Sequence, residues 1–247
     1  MGQRLLVFIA VFFIASAGTS LATPSRIIAI PSTDTLEYGA ARFDMETYNT
    51  MMKTGADGGW NLINYGVAWG LIPYTVSKSF GIEIGLDYRD FNGSAPTAAD
   101  SPLFLNAKFA LREGALFFDY FPAIAVGLLD YGGKSGVTNA NIMYFTASET
   151  FFSSLRAGAG FYSGNGTVLV DENGKADNSG PMVSLDWQVN KKWWAAFDWA
   201  SGRSRYGTLN VGAGYHLRPD IKIIAAYVMF NNSQIKPALS IQLLMDF

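Results

Sequence analysis

The C-terminal stretch of the chain, residues 239–247, reads Leu-Ser-Ile-Gln-Leu-Leu-Met-Asp-Phe and decides the fold. Side chains on a β-strand point alternately to its two faces, so every second residue shares a face. One face of this stretch is wholly apolar and carries Leu239, Ile241, Leu243, Met245 and Phe247. The opposite face carries Ser240, Gln242, Leu244 and Asp246. The pattern therefore predicts a strand with one face in an apolar environment and a more polar face opposite.

A chain that stops on an aromatic residue at the end of such a strand resembles a bacterial outer-membrane β-barrel protein. In that class the closing strand carries the signal that the barrel assembly machinery recognises. The resemblance implies a place in the bacterial outer membrane, with outer-membrane lipid and the assembly machinery as partners. It covers the chain after its N-terminal signal but selects no characterised family within the class. It assigns the assembly signal to Leu239, Ile241, Leu243, Met245 and Phe247.

The N-terminal residues are typical of a secretory signal peptide. Arg4 precedes an apolar run over residues 5–15, and mostly small residues follow over 16–22. We expect cleavage after Ala22, with Ser20 at the minus-three position. An uncleaved anchor is the alternative, but it needs about 20 apolar residues and this run is shorter. We therefore predict a cleavable signal peptide over residues 1–22, a short periplasmic segment over 23–37 and the barrel over 38–247.

Composition also favours a membrane barrel. The chain has no cysteine, which excludes disulfides, thiol catalysis and thiolate metal sites. Cleavage would remove Arg4 and leave 17 basic and 20 acidic residues. Because the net charge would then be negative, we expect no nucleic-acid partner. Charged residues make up 15 % of the chain, below the roughly 25 % of soluble domains. Since no later segment is typical of a spanning helix, a closed barrel remains.

Alternating segments of about ten residues recur twelve times between turn signals, as in an antiparallel up-and-down transmembrane β-barrel. An even count leaves both termini in the periplasm. Short links would be periplasmic turns, and the long polar stretches 92–101 and 165–179 would be extracellular loops. A soluble β-sandwich or lipocalin-like barrel is the alternative, but here the second face carries Gly or charge in nearly every segment. The facing of segments five and six is the least defined. The segments are 39–49, 60–71, 80–89, 103–109, 116–131, 141–149, 155–162, 183–188, 193–199, 209–216, 221–230 and 239–247.

The polar face of these segments carries charged side chains that would line a lumen. Because opposite charges across a narrow pore largely cancel, this mixed lining gives at most a weak cation preference. Each charge could instead brace neighbouring strands, and Glu149 and Arg156, placed symmetrically about residues 152 and 153, could pair in this way. The pore-lining candidates are Arg42, Asp44, Glu46, Glu83, Asp87, Arg89, Lys108, Glu149, Arg156, Asp186, Asp198 and Lys222.

Glycines on the same face leave volume that favours a narrow water-filled passage, although strand curvature explains them too. They are Gly66, Gly70, Gly81, Gly85, Gly158, Gly160, Gly212 and Gly214. Residues 26–37, before the first strand, are too short for a periplasmic domain. This segment could plug the periplasmic mouth or simply lead into strand one, and we favour the latter.

Catalytic and metal signals are weak. Barrel phospholipases need a nucleophilic Ser with a His, and omptin-like proteases place a His at the extracellular rim. The single histidine, His216, is predicted at the periplasmic end, so we expect no enzyme. Asp171, Asn173 and Asp177 lie in a run that resembles a calcium loop but lacks its bidentate Glu. An Asn-Gly hairpin tip explains that run better, so we expect no metal and no cofactor.

Two functions therefore remain open. The first is a monomeric, porin-like channel for passive passage of small solutes. The second is a structural or surface-interaction barrel whose extracellular loops bind an external or envelope partner. A lipid- or peptide-modifying barrel enzyme is a third, less favoured possibility.

Overall fold

The computed structural model describes residues 25–50, 61–73, 77–91, 96–116 and 121–247. The predicted signal peptide lies outside these residues. In the described part, twelve strands form a closed barrel in which each strand pairs with its sequence neighbours and the first pairs with the last. The strands are β1 (Ala41–Thr50), β2 (Asn61–Gly70), β3 (Phe80–Asp90), β4 (Leu103–Leu111), β5 (Ala123–Gly132), β6 (Ile142–Phe151), β7 (Leu155–Ser163), β8 (Ser179–Gln188), β9 (Trp193–Ala200), β10 (Thr208–Arg218), β11 (Ile221–Phe230) and β12 (Ala238–Asp246).

All twelve pairings are antiparallel, which confirms the predicted up-and-down barrel. The seam between β1 and β12 closes it. Arg42 binds Asp246 across this seam through two hydrogen bonds of 2.5 and 2.6 Å. Ala41 and Phe247 exchange backbone hydrogen bonds of 3.1 and 2.8 Å. Because every strand edge in the described barrel is paired, its backbone needs no water along the strands.

The apolar face of the strands points outward, whereas a soluble protein buries its apolar face. In β12, Leu239 and Ile241 are each 37 % exposed, whereas Ser240 is 0 % and Gln242 5 % exposed. The same reversal recurs around the barrel, where the exposed side chains include Leu105, Phe109, Met143, Phe145, Phe161, Leu185, Phe197, Val211 and Tyr227. An outward apolar belt of this kind fits lipid and excludes the soluble alternative, which would bury these residues.

The two ends of the barrel differ in the length of their connections. Residues 152–154, 189–192 and 219–220 form short turns at one end, where residues 71–79 and 112–122 make the two longer connections. Residues 133–141, 164–178, 201–207 and 231–237 form longer loops at the other, and a short helix, α1 (Pro96–Ala99), lies in the connection after β3. In single-chain bacterial barrels the short turns are periplasmic, so the long loops face outward from the cell.

No helix among the described residues is both long enough and apolar enough to cross a membrane.

Candidate functional site

The lumen is the candidate site, and its wall carries nearly all the predicted charged residues. Of the twelve candidates, all but Glu149 lie on the inward face, and most are 6 % exposed or less. That these side chains contact a solute remains a prediction. The inward candidates are Arg42, Asp44, Glu46, Glu83, Asp87, Arg89, Lys108, Arg156, Asp186, Asp198 and Lys222.

Glu149 is the exception, and the predicted brace to Arg156 is wrong. In β6 the buried positions are Ile142, Tyr144, Thr146 and Ser148, so Glu149 falls on the outward face. The register pairs Glu149 with Ala157, whereas Arg156 is opposite Thr150. Polar residues occupy both faces near the end of β6, which hides the alternation there. Arg156 braces β8 instead, through a 3.0 Å bond to Asp186.

Asp130 is an inward acid that the sequence pattern did not identify. The register of β4 and β5 shifts between Leu105 and Ala107, and Asp130 has a positive φ of 56° at this bulge. A bulge re-aims side chains because two residues oppose one on the partner strand. Asp130 thereby reaches Arg89 on β3 and forms a bidentate ion pair with it. The only sequence signal was the weak alternation of segment five.

Residues 25–36, the luminal segment, lie inside the barrel rather than in the periplasm as predicted. The segment turns back on itself, with an antiparallel bridge between Arg26 and Pro31. At its tip, the N–H groups of Ile28, Ala29 and Ile30 donate to one carboxylate oxygen of Asp198, at 2.7, 2.9 and 3.4 Å. Asp198 is 0 % exposed, so these bonds satisfy an acid that burial alone would disfavour.

The returning limb of the luminal segment is held by basic and hydroxyl groups. Lys108 donates to the carbonyl oxygens of Ser25 and Asp34, at 2.9 and 2.8 Å. The Asp34 carboxylate binds Arg156 at 2.5 Å. The hydroxyls of Thr33 and Ser148 lie 2.6 Å apart. The segment is therefore attached to the wall along both limbs by polar contacts.

Glu83 holds both limbs of the luminal segment at once. One of its carboxylate oxygens accepts the hydroxyl of Ser25, at 2.8 Å, and the other accepts the backbone N–H of Leu36, at 2.9 Å. The two ends of the segment thus meet at one wall residue on β3. This contact explains why the segment enters and returns on the same side of the lumen.

Arg26 lies between two wall acids. Its guanidinium is 3.3 Å from Glu46 and 3.6 Å from Asp87. Gln242 joins this region to the tip of the luminal segment, because its amide donates to Glu46 at 2.7 Å and to the Ile28 carbonyl at 3.2 Å. A cavity of about 60 Å³ lies beside Arg26. It is lined by Arg26, Asp44, Glu46, Glu83, Asp87 and Asn106, among others.

Part of the volume at the inward glycines is occupied by the luminal segment. A Cβ on Gly81 would overlap the hydroxyl of Thr35 and lie 3.1 Å from its Cβ. A Cβ on Gly70 would overlap the Glu37 carbonyl, and one on Gly212 would lie 3.1 Å from Ile28. Gly81 and Gly70 therefore accommodate residues 35–37, whereas a Cβ on Gly212 would meet Ala226 of the neighbouring strand first, at 2.8 Å, so the space predicted for a passage is partly filled.

Gly81→Ala is expected to loosen the luminal segment while the barrel stays intact, because the three atoms nearest the new methyl all belong to Thr35. Hydrogen–deuterium exchange of a peptide covering residues 27–36 should become faster by about tenfold, the result of roughly 1.4 kcal/mol of strain. Gly85→Ala, on the same face of the same strand, is the control, because its methyl would meet Val67 at 3.4 Å. Adding Thr35→Ala should restore slow exchange. Equal exchange in both glycine variants would contradict this fit.

An apolar cluster also fills part of the lumen. Ile27, Ile28 and Ile30 of the luminal segment pack into a buried cluster with wall and loop residues. Leu169 and Tyr206 bring two of the long loops onto it. The cluster also includes Leu129, Ile142, Tyr144, Tyr162, Met182, Trp194, Ile224 and Leu244. Burial of an aliphatic side chain contributes about 1.5–3 kcal/mol, so the three isoleucines add substantially to the polar contacts.

Comparison with known proteins supports the fold. No protein-family model and no curated protein matches the chain in sequence. Its structure is similar to the KdgM porin, at TM-score 0.55 and 10% identity, over 84% of this chain and 99% of the porin. It is also similar to an outer-membrane channel from Pseudomonas putida F1, at TM-score 0.50 and 11% identity, over 86% of this chain and 97% of the channel. The chain has the fold of the bacterial outer-membrane β-barrel proteins. With its outward apolar belt, this outer-membrane barrel belongs in the bacterial outer membrane.

The carboxylates of Asp171 and Asp177, which the sequence offered as weak metal ligands, stabilise a loop of the outer-membrane barrel. Asp171 accepts the N–H groups of Lys175 and Asn173, both at 2.9 Å, and the bond from Lys175 lowers the pKa of Asp171 below its ordinary value. Asp177 accepts the N–H of Arg203 at 2.6 Å. In the described part of the chain, no group of three or more His, Cys, Asp or Glu residues could hold a metal ion. The run is thus a turn stabilised by its own acids.

Proposed function

We propose that this outer-membrane barrel is a narrow, porin-like channel for passive passage of small solutes, with the luminal segment as an internal plug. The single observation that carries the proposal is that the segment is not part of the barrel wall. The twelve strands close without it, so its movement would break no pairing between strands. Its polar contacts are with charged side chains that water could solvate in an open lumen.

The wall supports passage more than catalysis. Its inward charges are distributed over strands around the whole circumference, and they would line the lumen if the luminal segment moved out. His216 lies at the short-turn end of β10, where its strand neighbour is Lys222 and its backbone N–H donates to the Lys192 carbonyl at 2.9 Å. We therefore propose a non-enzymatic role.

The filled lumen favours a second candidate, a structural or surface-interaction barrel. In that case the luminal segment would be a permanent core, and the long loops would bind an external or envelope partner. The loop 164–178 is well anchored for such a role, because Leu169 is 1% exposed and packs into the apolar cluster. Conductance separates the two candidates.

The test is single-channel recording of the refolded mature protein in a planar bilayer. Under the channel proposal we expect discrete openings, with a weak preference for cations that falls in Asp87→Asn. Heat-modifiable mobility on gels checks that each sample is folded. A folded protein that gives no current, either whole or without residues 25–36, would contradict the channel proposal and leave the surface barrel.

Assembly and partners are part of the same proposal. We propose a monomer surrounded by outer-membrane lipid and inserted by the barrel assembly machinery, which would read the outward face of β12. The support is that this face is apolar along its length and that β12 closes the barrel against β1.

A further inference from the structure

We propose that Asp44, Glu46 and Asp87 form a cation-binding site in the lumen. Arg26 occupies this site in the structure, and a solute that carries a guanidinium or ammonium group replaces it. This inference rests on the proposed channel and names the class of solute that it would favour.

The wall balances most of its charges without the luminal segment. Arg42 pairs with Asp246, Arg89 with Asp130, and Arg156 with Asp186. Lys108 lies 3.9 Å from Glu83. These pairs use wall bases on wall acids, while Lys222, a further inward base, lies 3.8 Å from the centre of the Trp194 ring.

Glu46 and Asp87 receive their close positive charge chiefly from Arg26, at 3.3 and 3.6 Å. Arg89 is also 3.7 Å from Asp87, but it forms a bidentate pair with Asp130. The neutral donors in the region are already in place, since Tyr48 and Gln242 bind Glu46 and Asn106 binds Asp87. The structure therefore offers two oriented carboxylates and one cation that belongs to a separate segment.

Asp44 supplies a third carboxylate beside Arg26. It lines the cavity beside Arg26, and it makes no hydrogen bond and no ion pair to any described residue. Its position depends on Gly66, which is opposite it in the register, because a Cβ there would overlap the Asp44 carboxylate. An acid that pairs with no described residue, and that lines a cavity next to a bound guanidinium, has room for a second positive group.

The chemistry of the site favours a compact cationic head. Arg26 shows that a guanidinium fits between Glu46 and Asp87, and charge-assisted hydrogen bonds to carboxylates are about twice as strong as neutral ones. Arg26 is the one cation that contacts both Glu46 and Asp87, and it is shared between them, whereas Arg89 contacts Asp87 alone. A solute with two positive groups would use Asp44 as well, whereas an anion would be repelled.

The test is calorimetric titration of agmatine, which carries a guanidinium and an amine, into the folded full-length barrel. Arg26→Gln replaces the guanidinium with a shorter, neutral side chain, so it should bind agmatine about tenfold more tightly than the wild type, in which Arg26 competes. In the Arg26→Gln background, Asp44→Asn, Glu46→Gln and Asp87→Asn should each weaken binding by about tenfold. Glutarate, an anion of similar length, should not bind.

Arg218→Gln is the matched control. It removes an exposed guanidinium that pairs with Asp220 at the short-turn end, far from the acids of the proposed site. It should leave agmatine affinity at the wild-type value. No binding to Arg26→Gln, or equal binding to it and to all three variants of the acids, would overturn the proposal.

Failure of the site and failure of the channel are distinguishable. Binding is measured without current, so tight binding with a silent bilayer would support the cation site and contradict passage. Openings without agmatine binding, and with a reversal potential unchanged by Arg26→Gln, would support a channel and overturn the cation site.

Discussion

A disulfide between residues 33 and 148 is expected to hold the barrel closed, and its reduction to open it. Thr33 lies on the luminal segment and Ser148 on the wall, and their hydroxyls are 2.6 Å apart. A disulfide needs its two Cβ atoms about 3.5–4.5 Å apart, a spacing that two hydrogen-bonded hydroxyls make accessible. The natural chain has no cysteine, so Thr33→Cys with Ser148→Cys supplies the only thiols. Oxidised protein should give no openings, and dithiothreitol should restore them.

A barrel without residues 25–36 gives the reference for the open state. It should conduct on the order of tenfold more than the wild type, because a barrel of twelve strands without the segment would have an interior wider than its own side chains fill. The two single-cysteine variants, treated with the same oxidant, should behave as the wild type. If the oxidised double variant conducts like the wild type, the luminal segment does not lie in the path of the current.

The outer surface of the barrel was predictable from the sequence because lipid imposes a strict rule. Every second residue of a strand must face hydrocarbon, so the alternation in segments such as 80–89 and 239–247 records the facing directly. Both segments are strands with the predicted facing. The same rule does not apply near strand ends, where Glu149 can lie on the outward face, or at the bulge that re-aims Asp130.

The interior could not be predicted in the same way because its contacts are distant in sequence. Ile28 and Asp198 are 170 residues apart, and no local period links an N-terminal loop to a residue on the ninth strand. Two features of the sequence bear on the luminal segment, although they led us to expect a water-filled passage and a simple lead into strand one. One was the apolar run at 27–30 with no strand partner, and the other was the set of inward glycines, whose empty volume in a folded barrel needs an occupant.

Substitution of Asp198 is expected to release the tip of the luminal segment. The carboxylate accepts three backbone N–H groups of the tip and the side-chain amide of Asn210, at 2.6 Å, in a fully buried position. Asp198→Leu leaves these donors without an acceptor, at about 1–3 kcal/mol for each buried group. Even about 3 kcal/mol in total would accelerate amide exchange of residues 28–30 by roughly a hundredfold.

Asp198→Asn should have a smaller effect, because it keeps the size of the side chain and one acceptor oxygen for the three N–H groups, although it loses the charge and the oxygen that accepts from Asn210. Since bonds to a charged acceptor are about twice as strong as neutral ones, we expect about tenfold faster exchange. Asp130→Asn is the control, because Asp130 is an inward acid whose ion pair, to Arg89, is made within the wall. We therefore expect exchange of residues 28–30 to be fastest in Asp198→Leu, slower in Asp198→Asn and slowest in the control, Asp130→Asn. Equal protection of residues 28–30 in all three variants would show that the isoleucines alone hold the tip, and that the three bonds to Asp198 contribute little to keeping the lumen filled.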